Sequence, residues 1–154
     1  MLTVSGELLQ GVVSGALERM AFVFVEQSEL TREEVLALSV AHAAITLRGV
    51  QRYTVTVSAT AGLVQEVASG MIGCEPENID VDEHGSAAVS ELANVFGGEL
   101  VLQLAAEDES LQLELPEELS DQAAGERCDH AVDGGVTCVV GSELGDMLVT
   151  VSSD

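Results

Sequence analysis

The sequence contains no lysine. Its 5 basic residues are all arginines, against 27 aspartates and glutamates, and the formal net charge is −22 at pH 7. This charge would repel the phosphate backbone of nucleic acids and an anionic membrane surface, so we exclude both as partners. The absence of lysine also excludes Schiff-base catalysis and a P-loop. An acidic composition also keeps a protein soluble in high salt, so the charge alone does not identify a function.

Aromatic residues are scarce as well. They make up 3% of the chain and tryptophan is absent, so aliphatic side chains must fill the core. With 47% hydrophobic and 21% charged residues, the composition is that of a globular protein. A chain of 154 residues is long enough for one sizeable core. We therefore expect a single domain that spans residues 1–154.

Long apolar runs and a leader-like start are also missing. No segment reaches the roughly 18 consecutive apolar residues that cross a bilayer. The first residues, MLTVSGELLQ, include no basic residue before the apolar run. We therefore expect a cytoplasmic protein. The three cysteines, Cys74, Cys128 and Cys138, are an odd number at wide spacing, which fits reduced thiols in that compartment.

Hydrophobic periodicity divides the first half of the chain into helices and strands. Apolar residues recur at helical spacing over residues 7–25 and again over 61–73. TREE, at residues 31–34, has the residues of a capping box, but 35–42 fit a helix or a strand equally well. Alternation of apolar and hydroxyl side chains predicts a hairpin of strands 43–48 and 52–59, with one buried face.

The second half begins with an acidic segment, EPENIDVDEH, which we interpret as a loop. A helix is predicted over about residues 86–97, and GELVLQLAAE and LQLELP then show the period-2 character of strands. GVTCVVGSELGDMLVTVSS predicts two strands around a glycine-containing turn. The order of the elements predicts an α+β fold, with a largely antiparallel β-sheet and helices packed on one face.

The helix SAAVSELANVFGG, residues 86–98, has two different faces. One face is apolar, and the other carries Glu91 and Asn94, which are i,i+3 neighbours and therefore project together. The residues around them on that face are small (Ala87, Ser90 and Gly98), so a second backbone could approach closely. Taken alone, the pattern is typical of the solvent side of an amphipathic helix. An asparagine inside a helix is mildly unfavourable, which hints at a functional role.

This segment resembles the signature helix of the CheX/CheC family of chemotaxis phosphatases. The family pattern is a Glu, two residues, an Asn, and a Gly four residues later, which here corresponds to Glu91, Asn94 and Gly98. The flanking segments are similar to the family as well. YTVTVSATAGLVQEVASGMIG resembles its strand followed by a helix, LQLELP a later strand that leads into a proline, and SELGDMLVTVS the closing strand. The resemblance covers most of the chain from about residue 43.

The resemblance implies a CheX/CheC-like fold and a phosphatase that acts on a phosphorylated receiver domain of the CheY type. The aspartyl phosphate and its Mg²⁺ would belong to the receiver, so no cofactor of its own is expected. Asn94 would orient the attacking water, and Glu91 would pair with the receiver's active-site lysine. A carboxamide suits the first task because it donates and accepts hydrogen bonds without adding charge. A single Glu-x-x-Asn motif is similar to CheX, which implies a homodimer.

Two other functions remain open at this point. The first is a non-catalytic adaptor of the same fold that binds a receiver or a motor component and uses Glu91 only for docking. The second is a structural dimer with a degenerate site, kept soluble by its charge. Phosphate release from a receiver would separate the enzyme from both.

Other candidate sites are weaker. Cys128, His130 and Cys138 do not have the spacing of a common zinc site. PENIDVDE lacks the glycine and the terminal glutamate of an EF-hand loop. His42 lies in an apolar run and is interpreted as a semi-buried, hydrogen-bonded histidine. His84 lies close in sequence to the proposed site and could make docking depend on pH.

Overall fold

A computed structural model describes residues 4–132 and 134–153, apart from the side chain of Val132. The helices of this part of the chain are α1 (Gly6–Ala21), α2 (Arg32–Leu38), α3 (Ala61–Ile72), α4 (Val81–Leu104) and α5 (Asp121–Val132). The strands are β1 (Glu26–Gln27), β2 (Ser39–Arg48), β3 (Arg52–Thr60), β4 (Gln112–Leu113), β5 (Glu117–Glu118), β6 (Val136–Gly141) and β7 (Asp146–Ser153). A short 3-10 helix, Pro76–Asn78, precedes α4.

The strands form one antiparallel sheet in the order β1-β6-β7-β3-β2. The outer edge of β2 pairs with β4 at Leu47–Arg48 and with β5 at Ala43–Ala44. The β2–β3 and β6–β7 pairs confirm both hairpins that alternation predicted. The antiparallel sheet of the predicted α+β fold is therefore confirmed.

One face of the sheet carries the main core. Ala43, Val57, Val149 and Cys138 lie opposite one another across β2, β3, β7 and β6. All four belong to the large apolar cluster that also contains the inner sides of α1, α3 and α4. The three longest apolar helices therefore pack on one face, as expected.

The other face of the sheet is also covered, which the expectation of helices on one face missed. Its matching row is His42, Ser58, Leu148 and Val139. Leu148 packs in a small cluster with side chains of α2 and α5, and the hydroxyl side chains of β3 on this face are buried. The strands therefore have two buried faces instead of one. Hydroxyl alternation normally indicates a solvated face, and α5 is too polar to be recognised by periodicity.

The capping box of residues 31–34 is confirmed, and it settles the ambiguous segment that follows. The Glu34 amide donates to Oγ1 of Thr31 at 3.2 Å, and the Thr31 amide donates to Oε1 of Glu34 at 3.0 Å. A helix of seven residues follows, and the chain becomes extended at Ser39. Residues 35–42 are therefore part helix and part strand.

α4 is longer than the sequence predicted, at both ends. The Asp80 carboxylate accepts from the amides of Asp82 and Glu83, and these two acidic residues suit the positive end of the helix dipole. The second half of the predicted acidic loop is therefore helical. At the other end, GELVLQLAAE continues the helix, because Leu100 and Leu104 are both buried at a spacing of four. The strand prediction for this segment was wrong, and LQLELP contributes only the two-residue β4.

Candidate functional site

α4 positions the candidate site, and Gly97 allows this helix to lie close against β2. A Cβ at position 97 would lie 2.7 Å from Cδ1 of Leu113 and 3.0 Å from Cγ2 of Ile45, so only glycine fits without displacement of a neighbour. Leu92 and Phe96 are fully buried on the same side of the helix. The backbone that carries the opposite face is therefore held rigidly by the core.

Glu91 and Asn94 project from the outer face of this helix. Glu91 is exposed and Asn94 is half-buried. Side chains at i,i+3 have Cβ atoms about 5–6 Å apart, so both can reach one partner. Within the part of the chain that the structure describes, neither side chain makes a hydrogen bond or an ion pair. Both are therefore available to another molecule.

The surroundings of the pair are open. A Cβ at Gly98 would have no heavy atom within 4 Å, in contrast to its neighbour Gly97. Ala87 is exposed, and Ser90 is half-buried. Because none of these side chains is large, a partner can bring its own backbone close to Asn94. The prediction of a small-residue face is confirmed.

An ion pair between α1 and α4 borders this face. Nη2 of Arg19, on α1, lies 3.2 Å from Oε1 of Glu99 on α4. Arg19 is the only arginine on α1, α3 and α4. Because Glu99 neutralises this arginine and Asn94 is uncharged, Glu91 is left as an anion on the outer face. Such a face favours a cationic group on a partner.

The three cysteines and His130 are not brought together. Cys138 belongs to the main core, whereas Cys128 lies in the small cluster on the other side of the sheet. His130 and Cys74 are exposed. Burial raises the pKa of the Cys138 thiol to about 11 and also raises the pKa of Cys128. Among the described residues, no group of three His, Cys, Asp or Glu side chains could hold a metal ion.

The two other histidines have different environments. His42 is buried, with Nδ1 2.8 Å from Oγ of Ser58 and Nε2 2.8 Å from Oδ1 of Asp121. The prediction of a hydrogen-bonded histidine is confirmed, and the bond to Asp121 holds the start of α5 on the sheet. His84 lies in the first turn of α4, where Nδ1 is 3.2 Å from the carbonyl oxygen of Asp80. It is two turns from Glu91, and its role in docking stays a prediction.

The family model described as "Chemotaxis phosphatase CheX" matches residues 41–137, which is more than half of the chain. The chain belongs to the CheX family. The match includes most of β2 and the whole of β3, α3 and α4, and therefore both residues of the candidate site. No curated protein matches the chain at a significant level.

Solved structures of the CheX and CheC-like type share the fold. A chemotaxis protein CheX from Vibrio vulnificus has a TM-score of 0.69 at 16% identity, with 95% of this chain and 93% of that chain covered. A CheC-like superfamily protein from Shewanella sp. PV-4 has a TM-score of 0.73 at 16% identity, with 99% of each chain covered. A CheX–CheY–BeF3–Mg²⁺ complex from Borrelia burgdorferi has a TM-score of 0.67 at 15% identity, with 96% of each chain covered. At these identities the likeness concerns the fold.

Three exposed apolar side chains at the ends of α1 and α3 were not predicted. Phe22 follows α1, and Met71 and Ile72 end α3. Met71 and Ile72 continue the apolar periodicity that predicted a helix over residues 61–73, and this periodicity would place both on its buried side. The available signal was Gly73, which ends the helix and leaves its last residues without a covering turn.

Among the described helices, none is long and apolar enough to span a bilayer.

Proposed function

We propose that this protein hydrolyses the aspartyl phosphate of a phosphorylated receiver domain. The observation that carries the proposal is the pair Glu91 and Asn94, which occupies an open face of a rigidly packed helix and has no partner among the described residues. Membership of the CheX family supports it. The Borrelia burgdorferi complex supports the choice of partner, because there a CheX is combined with CheY, BeF3 and Mg²⁺.

Asn94 orients the attacking water in this mechanism. Its side-chain oxygen accepts a hydrogen bond from the water, and its amide group can donate to a phosphoryl oxygen. Phosphoryl transfer depends mainly on in-line positioning and on stabilisation of charge. The Mg²⁺ that supplies most of the charge stabilisation belongs to the receiver, as does the aspartate that leaves. The fixed backbone of α4 limits the positions that the carboxamide can adopt.

Glu91 sets the position of the receiver. Its carboxylate pairs with a lysine beside the aspartyl phosphate, and the three-residue spacing then places Asn94 near the phosphorus. A desolvated ion pair of this kind contributes more to register than to affinity. Because the rest of the protein is strongly acidic, a cationic partner group is also favoured during approach.

The test is phosphate release from a phosphorylated receiver, measured with wild type, Asn94→Ala and Glu91→Ala. We expect wild type to accelerate release and each substitution to reduce kcat/KM by about 100-fold or more. Asn94→Ala should act mainly on kcat and Glu91→Ala mainly on KM. Asn78→Ala and Glu83→Gln are matched controls, because both residues are exposed and lie away from the pair. Absence of acceleration by wild type with every receiver offered would refute the proposal.

The second candidate is a non-catalytic adaptor, and the observation that favours it is the exposure of Glu91. An exposed carboxylate on a small-residue face suffices for docking without any chemistry at Asn94. In that case receiver binding would depend on Glu91, whereas wild type and Asn94→Ala would release phosphate at the same background rate. The two candidates therefore differ in one measured rate.

Homodimerisation is a further part of the proposal, and it rests on the resemblance to CheX. Two copies of this chain would each carry a net charge of −22, so their repulsion should weaken as salt screens it. Light scattering after size exclusion should therefore show a larger dimer fraction at 1 M salt than at 0.05 M. A monomer at every salt concentration would contradict the dimer.

A further inference from the structure

Three large apolar side chains are exposed where α1 and α3 end. Phe22 has 76% of its surface exposed, Ile72 59% and Met71 38%. We call these three residues the apolar patch. Single exposed apolar residues are common, but a contiguous group of them indicates a contact with another molecule.

Phe22 is held in a backbone conformation that a phenylalanine rarely adopts. Its φ is 58° and its ψ is 32°, in the left-handed region, and it is the only described residue other than glycine with a positive φ. The conformation ends α1: the Phe22 amide donates to the carbonyl oxygen of Glu18 at 3.2 Å, and the Val23 amide to that of Leu17 at 3.2 Å. Glycine is the usual residue at such an end, because a Cβ is strained there. With 76% of its surface exposed, Phe22 gains little packing against the described part of the chain to offset this strain.

The contact between Gly70 and Ala21 brings the ends of α3 and α1 together. A Cβ at Gly70 would lie 2.0 Å from the carbonyl oxygen of Ala21, so the end of α3 touches the last residue of α1. Phe22 directly follows Ala21, and Met71 directly follows Gly70. The side chains at the two helix ends therefore belong to one surface.

The helix packing then places this surface beside the pair on α4. Val64 of α3 lies 3.6 Å from an ideal Cβ on Gly85 of α4, and Ala68 clusters with Ala88. The later residue of α3 meets the later residue of α4, so the two helices run parallel. One turn further on, Met71 and Ile72 are level with Glu91, and neighbouring helix axes are about 10 Å apart. The apolar patch therefore borders the face that carries Glu91 and Asn94.

We propose that the apolar patch is the hydrophobic part of the surface on which the receiver docks, and this inference rests on the proposed function. A stable complex covers about 800 Å² of each partner, which corresponds to a disc with a radius of about 16 Å. A receiver that brings its phosphate to Asn94 and its lysine to Glu91 must therefore cover the patch as well. The centre of such an interface is usually apolar and aromatic, with charges at its rim. On α4 the side chains around the pair are small or polar, and the exposed Leu102 lies two turns beyond Asn94, so Phe22, Met71 and Ile72 supply the apolar contact beside Glu91.

A second copy of this chain is the competing occupant. It would bring a second net charge of −22 against a face that already carries Glu91, which is unfavourable without a cation to pair with it. It would also cover Asn94 and exclude the receiver. The receiver is therefore favoured, and self-association through the patch becomes an outcome of the test.

The decisive variant is Phe22→Gly, because it should leave the fold at least as stable as wild type and yet weaken receiver binding. Removal of the Cβ relieves the left-handed strain, so the urea midpoint of unfolding should stay the same or rise. Loss of the ring should weaken binding to the receiver loaded with BeF3 and Mg²⁺ by about tenfold. In the turnover assay the same variant should raise KM and leave kcat unchanged.

Ile72→Ser is a second test, with Leu144→Ser as its matched control. Leu144 has 53% of its surface exposed, close to the value for Ile72. It touches Gly62 at the opposite end of α3, about 15 Å from Ile72. We expect Ile72→Ser to weaken receiver binding by about threefold to tenfold, and Leu144→Ser to change it by less than about twofold.

Three results would overturn the inference. The first is unchanged receiver affinity in Phe22→Gly and Ile72→Ser when wild type binds and turns over the receiver, and this leaves the proposed function intact. The second is a weaker complex caused equally by Leu144→Ser. The third is a dimer of wild type that Phe22→Gly dissociates while receiver binding improves, which would assign the patch to a second copy. Failure of wild type to bind or dephosphorylate any receiver would instead refute the proposed function itself.

Discussion

Gly97 and Gly98 are adjacent on α4 but have opposite surroundings, which makes Gly97→Ala and Gly98→Ala a matched pair of substitutions. In a helix interior, alanine is about 1 kcal/mol more favourable than glycine. At position 98 the new methyl group meets nothing within 4 Å, so we expect stabilisation of about 1 kcal/mol. At position 97 it would come within 2.7 Å of Leu113 and 3.0 Å of Ile45. Overpacking of this kind costs about 1–3 kcal/mol, which leaves a net loss of about 0–2 kcal/mol.

The two variants should therefore differ in their free energy of unfolding by about 1–3 kcal/mol, with Gly98→Ala the more stable. Urea unfolding followed by circular dichroism measures the difference, and the thermal midpoint should move by about 2–4 °C for each kcal/mol in a chain of this size. Equal stability of the two variants, or greater stability of Gly97→Ala, would refute the packing of α4 on β2 described above. Because Gly98 lies on the outer face, Gly98→Ala should also lower kcat/KM for the receiver in spite of its greater stability.

Three other predictions concern residues away from the pair. Hydrogen bonds from the Ser110 hydroxyl and the Val50 amide lower the pKa of Asp108. The stabilisation that the ionised Asp108 provides is therefore complete at neutral pH and is lost as the pH falls below the ordinary value of 3.8. Between pH 7 and pH 2.5, the thermal midpoint should fall less in Asp108→Asn than in wild type. Because burial raises the pKa of Cys138 to about 11, iodoacetamide at pH 8 should modify Cys74 in the folded protein and Cys138 only after unfolding, as measured by mass spectrometry. His42→Ala leaves the buried Ser58 hydroxyl without its partner and should lower the free energy of unfolding by about 1–3 kcal/mol in urea titrations; no loss would contradict the hydrogen bonds described.

Elements with a strict period could be predicted from the sequence alone. The alternation of Tyr53, Val55 and Val57 fixed the register of β3, because every second side chain enters the main core. The capping box and Gly73 marked a helix start and a helix end by local chemistry that does not depend on the rest of the fold. The i,i+3 relation of Glu91 and Asn94 also follows from helix geometry, so the shared face of the pair was predictable.

The remaining features depend on contacts between distant segments. α5 is mostly polar, and its place is set by Cys128 in the small cluster and by the hydrogen bond that Asp121 accepts from His42. Neither contact leaves a pattern in the sequence. GELVLQLAAE suits either a strand or a helix, and the burial of Leu100 and Leu104 decides for the helix. The apolar patch joins residues 22 and 71–72, which are far apart along the chain and meet only because Gly70 lets two helix ends touch.

The helices on the two faces of the sheet differ in the number of buried apolar side chains that hold them in place. α1, α3 and α4 share one large cluster with the strands, whereas, among the side chains that the structure describes, the cluster under α2 and α5 has three buried members, Val35, Cys128 and Leu148. Segments with few buried apolar contacts open locally at a lower free energy than the rest of a domain. In hydrogen exchange, the amides of α2 and α5 should therefore exchange through partial openings while those of α4 exchange only with global unfolding. The protein would then lose one of its layers transiently while Glu91 and Asn94 remain in place.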